Sequence, residues 1–240
     1  MKAIRNVTLL SLSLLALALL AVAPAAYADT IAYTTNLAST PTDFTNLTLS
    51  PGVAQFNNVT GPYAGATLNS VTILLNVSGS APTSVTENVG TSGTFKVTEN
   101  SDIILGSASP SLNTALNSLD EYVSYISGSY VTLTSGQTHN YGTVALNGTA
   151  SSEVIDPTYL SLFEGTGILT FDASSVSGYG FNGGGNNQTA SISNTDSGYA
   201  TVTYDYTPPV LTPEPGTLVL FGTGLLGLAG MLRRKFMQSR

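Results

Sequence analysis

The chain has 240 residues, and its basic residues are almost confined to its two ends. Of its seven Lys and Arg residues only Lys96 lies between Asp29 and Glu214, and fourteen acidic residues give that stretch a formal charge of −13. This charge argues against nucleic acid as a partner, because phosphate binding depends on clustered Lys and Arg. The lack of cysteine excludes disulfides and thiolate metal sites, so stability has to come from a packed core.

The first 28 residues have the three parts of a secretory signal. Lys2 and Arg5 precede an apolar run over residues 7–22, and Ala26 and Ala28 supply the small residues of a cleavage site. The sequence therefore predicts a signal helix that is removed after Ala28. An N-terminal membrane anchor is the alternative, and the polar sequence that follows directly argues against it.

Period-two alternation of apolar and polar residues dominates the body of the chain. It is clearest in residues 70–78, 93–98, 167–171 and 201–206, where β-branched and aromatic residues fill short runs that Gly, Asn, Ser and Pro separate. Many short strands with frequent turns are typical of an antiparallel sandwich. We therefore predict an all-β, β-sandwich ectodomain over residues 29–207.

Two stretches depart from this alternation. Apolar residues from Leu112 to Ile126 follow helical spacing, and Ser109 with Pro110 would suit a helix start, so we expect a short helix or an irregular excursion there. The glycine-rich stretch 178–188 (GYGFNGGGNNQ) is predicted to be a loop.

Residues for catalysis are present, but no spacing groups them. His139 is the only histidine, it falls in a polar stretch typical of a turn, and no nucleophile elbow accompanies it. A glycoside hydrolase needs two carboxylates facing each other across a cleft. We expect no enzymatic activity, because nothing singles out a pair among the candidate carboxylates Glu99, Asp102, Asp120, Glu121, Glu153, Asp156, Glu164, Asp172 and Asp205.

No cofactor is expected, and the one metal left open is a structural Ca²⁺ ion. Carboxylates and loop carbonyls bind Ca²⁺ in many secreted β-proteins. The best candidate ligands are Asn100 with Asp102, and Asp120 with Glu121, although no calcium-loop motif surrounds them.

Sugar-binding faces use aromatic side chains as stacking platforms, and this chain has twelve Tyr residues and no Trp. Tyr122, Tyr125, Tyr130 and Tyr141 lie close together in the sequence and are the candidates for such a platform. Packing in the core or across strands is the alternative role of these rings.

The C-terminal tail combines a Pro-rich spacer, an uncharged run and a basic cluster. After the spacer at 208–212 and a Pro-Glu-Pro triplet, residues 216–232 carry no charge and would form a helix of about 25 Å, near the lower limit for spanning a bilayer. Arg233, Arg234 and Lys235 would stay in the cytoplasm, which places the body outside. A buried core helix is the alternative.

The same tail resembles the PEP-CTERM sorting signal of exopolysaccharide-producing bacteria. Pro213, Glu214 and Pro215, a Gly/Leu-rich span and the basic cluster occur in the required order over residues 213–240. It departs from the pattern only at Thr212 and Gly216. The resemblance implies that a membrane-bound exosortase recognises the triplet, removes the tail and releases or reattaches the body.

The body has a second resemblance, to the choice-of-anchor E domain. It rests on residues 162–167 (LFEGTG), the strand and Gly-rich loop after them, and the closing residues 200–206 (ATVTYDY). The resemblance implies one β-rich domain joined to an interchangeable C-terminal anchor, without an associated enzymatic activity.

Together these features lead to one functional expectation and two alternatives. We expect an exported, non-enzymatic surface or extracellular-matrix protein that an exosortase processes and that associates with exopolysaccharide in a biofilm. Its precursor would cross the inner membrane and stay anchored there by its tail before reaching the cell surface or the extracellular space. The alternative is a carbohydrate-binding adhesin, and a secreted glycoside hydrolase is less favoured.

Overall fold

A computed structural model of the chain describes residues 27–87, 92–154, 156–183, 187–209, 222–227, 229 and 234. The chain divides into two compact units. One unit is the body, Tyr27–Pro208, and the other comprises the terminal segments Met1–Ala26 and Pro209–Arg240.

The body consists mainly of antiparallel strands, which confirms the all-β prediction. Two short helices, α1 (Pro110–Leu116) and α2 (Pro157–Leu160), and a 3-10 turn (Gly61–Tyr63) interrupt them. The strands are β1 (Asp29–Pro41), β2 (Leu47–Thr48), β3 (Val53–Ala54), β4 (Thr67–Glu87), β5 (Gly93–Gly106), β6 (Asp120–Ile126), β7 (Val131–Leu133), β8 (Thr138–Val154), β9 (Ile168–Leu169), β10 (Asp172–Gly183), β11 (Gln188–Ile192) and β12 (Thr195–Thr207).

Two five-stranded sheets make up the architecture, each around one long central strand. In the first sheet β4 pairs with β8 on one side and with β12 and then β11 on the other, and β1 pairs with the far side of β12. In the second sheet β5 pairs with β10 on one side and with β6 and β7 on the other, and β2 pairs with the first two residues of β10 on the side away from β5. Strands β3 and β9 form a separate two-stranded pair.

One hydrophobic cluster draws residues from both sheets, so the sheets face each other as a sandwich. Period-two alternation places Val71 and Ile73 of β4 and Val202 and Tyr204 of β12 inside, each with 0 % of its surface exposed. Ile103 of β5 closes the cluster from the opposite sheet. Burial of these side chains supplies the main driving force for folding.

A smaller cluster lies where β4 and β5 approach their shared connection. It contains Val85, Phe95, Val97 and Leu133, with partly buried aromatic side chains packed against it. This second cluster supports the strands that border the candidate site described below.

The stretch from Leu112 to Ile126 is a helix only in its first half. The Ser109 side chain caps α1 by accepting a hydrogen bond from the Leu112 N–H (3.4 Å), as the sequence predicts. Asn117 then adopts a left-handed conformation (φ 51°) and ends the helix. The second half forms β6, which pairs with β5, so extending the excursion to Ile126 was wrong.

The glycine-rich stretch 178–188 is mostly strand, and the loop prediction for it was wrong. Strand β10 continues to Gly183 in unbroken register with β5, and β11 begins at Gln188. Residues 184–186 lie outside the described part. Hydrogen bonds to β5 hold Gly178 and Gly180 extended despite the low strand propensity of glycine, whereas Gly183 at the end of the strand has a positive φ (90°).

The predicted signal helix, the Pro-Glu-Pro triplet and most of the predicted membrane helix lie outside the described residues. Residues 222–227 are helical. Among the residues that the structure describes, no helix is both long enough and apolar enough to cross a membrane.

Candidate functional site

The predicted processing residues fall at the limits of the described chain. Ala28 is exposed and directly precedes β1. Arg234 is helical. The remaining predicted residues, Ala26, Pro213, Glu214, Pro215, Arg233 and Lys235, lie outside the described residues.

The predicted catalytic candidates do not converge on one place. His139 lies in β8 rather than in a turn, and its ring packs edge-on against Tyr141 with centroids 4.6 Å apart. Glu99 is fully buried, whereas Asp156 caps α2 by accepting from the Thr158 N–H (2.8 Å). These groups have separate structural roles.

The four candidate calcium ligands lie on opposite faces of the second sheet. Asn100 and Asp102 of β5 share the outer face with Asp120 of β6, whereas Glu121 points to the inner face because successive strand residues alternate. Burial raises the pKa of the Asp102 carboxyl, and the charge of Asp120 adds to this shift. Within the described residues, no group of three or more His, Asp or Glu side chains could hold a metal ion.

The four clustered tyrosines do not form a common platform. Tyr122 and Tyr130 are exposed (57 % and 53 %), whereas Tyr125 packs against the main core and Tyr141 against the smaller cluster. Tyr130 covers the Lys96 ammonium, which lies 4.8 Å from its ring centroid. The four tyrosines are therefore close in sequence but do not form one aromatic surface.

A polar recess lies at an open edge of the sandwich, and we refer to it as the edge cleft. It occurs where β10 separates from β2, which pairs only with Asp172 and Ala173. The cleft has a volume of about 490 Å³. It is lined by Thr42, Asp43, Ser177, Gly178, Tyr179, Ala190, Ile192 and Asn194.

Tyr179 supplies the aromatic wall of the edge cleft. More than half of its surface (55 %) is exposed. Its ring packs edge-on against Phe181 (centroids 5.9 Å apart), which packs edge-on against the fully buried Phe95 (5.7 Å). This series of rings fixes the exposed ring to the smaller core cluster.

Asp43 supplies the carboxylate of the edge cleft. It is exposed, and its Oδ1 accepts hydrogen bonds from the Ser177 N–H (2.8 Å) and from the Ser177 hydroxyl (3.3 Å). Its own N–H donates to the Ser175 hydroxyl (3.1 Å). These bonds orient the carboxylate and leave it further acceptor capacity, since two oxygens offer about four lone-pair positions.

Asn194 supplies the third polar group, on the side of the first sheet. Only 9 % of its surface is exposed, and its backbone carbonyl oxygen accepts a hydrogen bond from the Thr42 N–H (3.1 Å). Its side-chain oxygen has no hydrogen-bond partner among the residues that the structure describes. This oxygen is buried, so Asn194 contributes to the polar lining of the cleft without presenting that oxygen to it.

Behind the edge cleft lies a buried acidic group, Asp196. It is completely buried, and its Oδ2 accepts a hydrogen bond from the Ser101 hydroxyl of the facing sheet (2.7 Å). Burial raises the pKa of the Asp196 carboxyl, hydrogen bonds from Ser101 and Ser175 oppose this shift, and the charge of Asp43 adds to it.

A second buried carboxyl group, Glu99, joins the sheets further along. The Thr83 hydroxyl lies within hydrogen-bond distance of both the Glu99 Oε1 and the Ala81 carbonyl oxygen. The Thr83 hydroxyl donates to the Glu99 Oε1, and this bond favours the charged form of the carboxyl group. Burial raises the pKa of Glu99, and the Thr83 hydrogen bond opposes this shift.

Another cleft, of about 400 Å³, lies beside Gln55 and Asn57. Its amide groups already bond to the scaffold. Gln55 donates to the Leu162 carbonyl oxygen and accepts from the Gly167 N–H (2.9 Å each), and Asn57 accepts from the Thr60 N–H (3.0 Å). This cleft therefore offers a ligand less hydrogen-bonding capacity than the edge cleft.

Sequence reasoning missed the main residues of the edge cleft. Tyr179 lies in the stretch predicted to be a loop, and neither Asp43 nor Asn194 was among the candidates. The alternation of glycine and aromatic residues from Gly178 to Phe181 was the one local signal of a strand with an aromatic face.

The body thus defines a class, an all-β protein of two facing antiparallel sheets with a polar cleft at one edge. The chain also carries a PEP-CTERM protein-sorting motif, matched over residues 211–235. No curated protein matches the sequence. The motif supports an extracellular or surface protein with an exosortase as its processing partner, whereas the resemblance of the body to the choice-of-anchor E domain is not confirmed.

Likenesses to solved structures are weak. A structure of mud crab tombus-like virus has 10 % identity over 81 % of this chain and 86 % of that chain, with a TM-score of 0.19. A structure of turnip yellow mosaic virus has 9 % identity over 80 % of this chain and 86 % of that chain, with a TM-score of 0.13. The infectious bursal disease virus Gt strain gives 11 % identity over 85 % of this chain and 48 % of that chain, with a TM-score of 0.13. Scores this low carry no conclusion about fold or function.

Proposed function

We propose that the chain is the precursor of an exported, non-enzymatic surface or extracellular-matrix protein that an exosortase processes. The match of residues 211–235 to the PEP-CTERM sorting motif carries this proposal. The predicted signal over residues 1–28 and the basic residues after the uncharged run agree in placing the body outside the inner membrane.

The geometry of the body supports processing at a separate C-terminal segment. Strand β12 ends at Thr207, and its register pairs Tyr206 with Asp29 at the start of β1. The spacer at 208–212 therefore begins where the folded sheet ends. A protease acting at residues 213–215 would cut outside the hydrogen-bonded ladder.

A non-enzymatic role is supported by the chemistry of the edge cleft. A glycoside hydrolase needs two carboxyl groups across its cleft. Asp43 is the one carboxylate among the described residues that line the edge cleft, and the neighbouring Asp196 is completely buried. Binding without turnover fits this arrangement better than hydrolysis.

The second candidate function is that of a carbohydrate-binding adhesin, and association with exopolysaccharide belongs with it. The observation that favours it is the exposed Tyr179 ring beside polar groups in the edge cleft. Aromatic rings with a few convergent polar groups are characteristic of small-ligand sites.

Mass spectrometry of the protein recovered from its native host tests the processing step. We expect an extracellular or surface form whose C-terminus lies near Pro215. A variant with Glu214→Gln and Pro215→Ala should keep the tail and stay in the membrane fraction. Pro208→Ala with Pro209→Ala, which changes prolines just outside the triplet, is the matched control and should be processed normally.

Two outcomes would contradict the proposal. One is abundant native peptides that run from residue 216 through residue 240, because they show an unprocessed tail. The other is equal processing of the triplet variant and the control, because it removes the role of the motif. Deletion of the exosortase from the host should reproduce the behaviour of the triplet variant.

A further inference from the structure

The geometry points to the edge cleft as a binding site for a neutral, hydroxyl-rich glycan segment, with Tyr179 as its stacking platform and Asp43 as its hydrogen-bond acceptor. The inference deepens the proposed function by naming a site and a ligand class. It rests on the proposed function in one respect only, the export that brings the body into contact with extracellular glycans. The volume of about 490 Å³ lies within the roughly 300–1,000 Å³ usual for small-ligand sites.

The first argument concerns the aromatic wall. A sugar ring presents C–H groups on its faces and hydroxyls around its rim, so it stacks on an aromatic ring while its rim needs polar partners. Tyr179 offers an exposed face held in place by Phe181 and Phe95. A platform that is already fixed loses little conformational entropy on binding.

The second argument concerns which groups are left to bond. The exposed Asp43 carboxylate keeps acceptor capacity beyond its bonds to Ser177. The Thr42 and Ser177 hydroxyls bond to each other (2.9 Å) beside it. A carboxylate acceptor favours a ligand rich in O–H donors.

The third argument concerns charge. Lys96 is the one basic residue between Asp29 and Glu214, and it lies over the Tyr130 ring rather than in the edge cleft. Phosphate, sulfate and uronic acid groups would meet Asp43 with no cation among the described lining residues. The cleft therefore disfavours acidic glycans, and too few acidic groups line it to hold a metal ion instead.

Binding is tested with the full chain purified in a non-glycosidic detergent. The probes are neutral gluco-, manno-, galacto- and N-acetylglucosamine oligosaccharides, followed by saturation-transfer NMR and titration calorimetry at low and high salt. We expect at least one neutral oligosaccharide to bind, with little dependence on salt, because no ion pair is involved.

Variants locate the binding in the edge cleft. Tyr179→Ala should weaken it about tenfold, the value of one lost aromatic contact near 1.4 kcal/mol, and Tyr179→Phe should retain it within about threefold. Tyr122→Ala removes a ring of matched exposure on the outer face and should leave binding unchanged. Asp43→Asn, with Asp120→Asn as its control, should change which sugars are preferred.

Several results would overturn the inference. These are no binding of any neutral probe at millimolar concentration, equal losses in Tyr179→Ala and Tyr122→Ala, or binding only of cationic oligosaccharides that salt abolishes. The site and the proposed function fail separately. If an unprocessed chain binds neutral glycans, the binding site is supported and the proposed function is contradicted. If the chain is processed normally but binds no glycan, the proposed function is supported and the binding site is contradicted.

Discussion

Replacing Glu99 with Gln is expected to stabilise the body at neutral pH. The Glu99 side chain is completely buried, and its Oε2 has no hydrogen-bond partner among the described residues. An ionised carboxylate there would lack both water and a counter-ion, because Lys96 lies over Tyr130 on the other face of β5. A neutral amide of the same shape avoids that cost.

The direction of the pH dependence follows from the raised pKa. Burial lifts the folded-state pKa of Glu99 above its unfolded value, so the folded state binds more protons between those two values. The free energy of unfolding is therefore highest below the unfolded-state pKa, about 4.3 for Glu, and falls as pH rises through the folded-state pKa. The raised pKa of Asp196 acts in the same direction.

The size of the effect has an upper limit and an expected range. One group can lower the free energy of unfolding by at most about 1.4 kcal/mol per pH unit, hence by about 3.7 kcal/mol between pH 4.3 and pH 7. We expect Glu99→Gln to recover about 1–3 kcal/mol at pH 7, less than this limit, because the amide still leaves a polar atom at the Oε2 position without a partner among the described residues. For a domain of this size, each kcal/mol of recovered stability raises Tm by about 2–4 °C.

Thermal unfolding of the body (residues 27–209), followed by circular dichroism at pH 4, 5.5 and 7, measures the effect. Wild type should lose stability as pH rises, and Glu99→Gln should show a flatter profile that meets the wild-type value near pH 4. Glu153→Gln, at an exposed position of β8, is the control and should follow wild type. A Glu99→Gln variant no more stable than wild type at pH 7 would refute the reasoning.

Three further substitutions test the fold by urea or thermal unfolding of the same body. Gly198→Ala should cost about 2–3 kcal/mol, because its Cβ would lie 2.3 Å from the Asn76 carbonyl oxygen. Gly180→Ala, where no described heavy atom lies within 4 Å of the added Cβ, should be neutral or about 0.5 kcal/mol stabilising. Ser109→Ala should cost about 1 kcal/mol, since the Leu112 N–H loses its cap. Equal effects of the two glycine variants, or no effect of the cap variant, would contradict these assignments.

The central strands could be predicted from sequence because one face of each is buried along its whole length. Val71 and Ile73 alternate with polar residues over enough of β4 to fix its period. The stretch from Leu112 was ambiguous for a physical reason. Residues four apart share a face in both a helix and a strand, so Leu119 and Val123 continued the helical pattern across a change of structure.

The edge cleft could not be predicted because no local pattern encodes it. Asp43 follows β1, Tyr179 lies in β10 and Asn194 precedes β12, and only the pairing of these strands and the facing of the two sheets bring the three residues together. The tyrosine cluster failed for the opposite reason. Tyr122 and Tyr125 are close in sequence, but strand alternation sends them to opposite faces of the sheet.

The position of β12 has a mechanical consequence for an anchored protein. The last strand lies between β1 and β4 and is antiparallel to both, with register from Thr195 to Thr207 along β4. Tension applied at its C-terminal end acts along the strand, so both ladders resist sliding together instead of opening one bond at a time. The strand nearest the tail is thus held in shear from two sides, a geometry that would resist a pull on the proposed C-terminal anchor of the precursor.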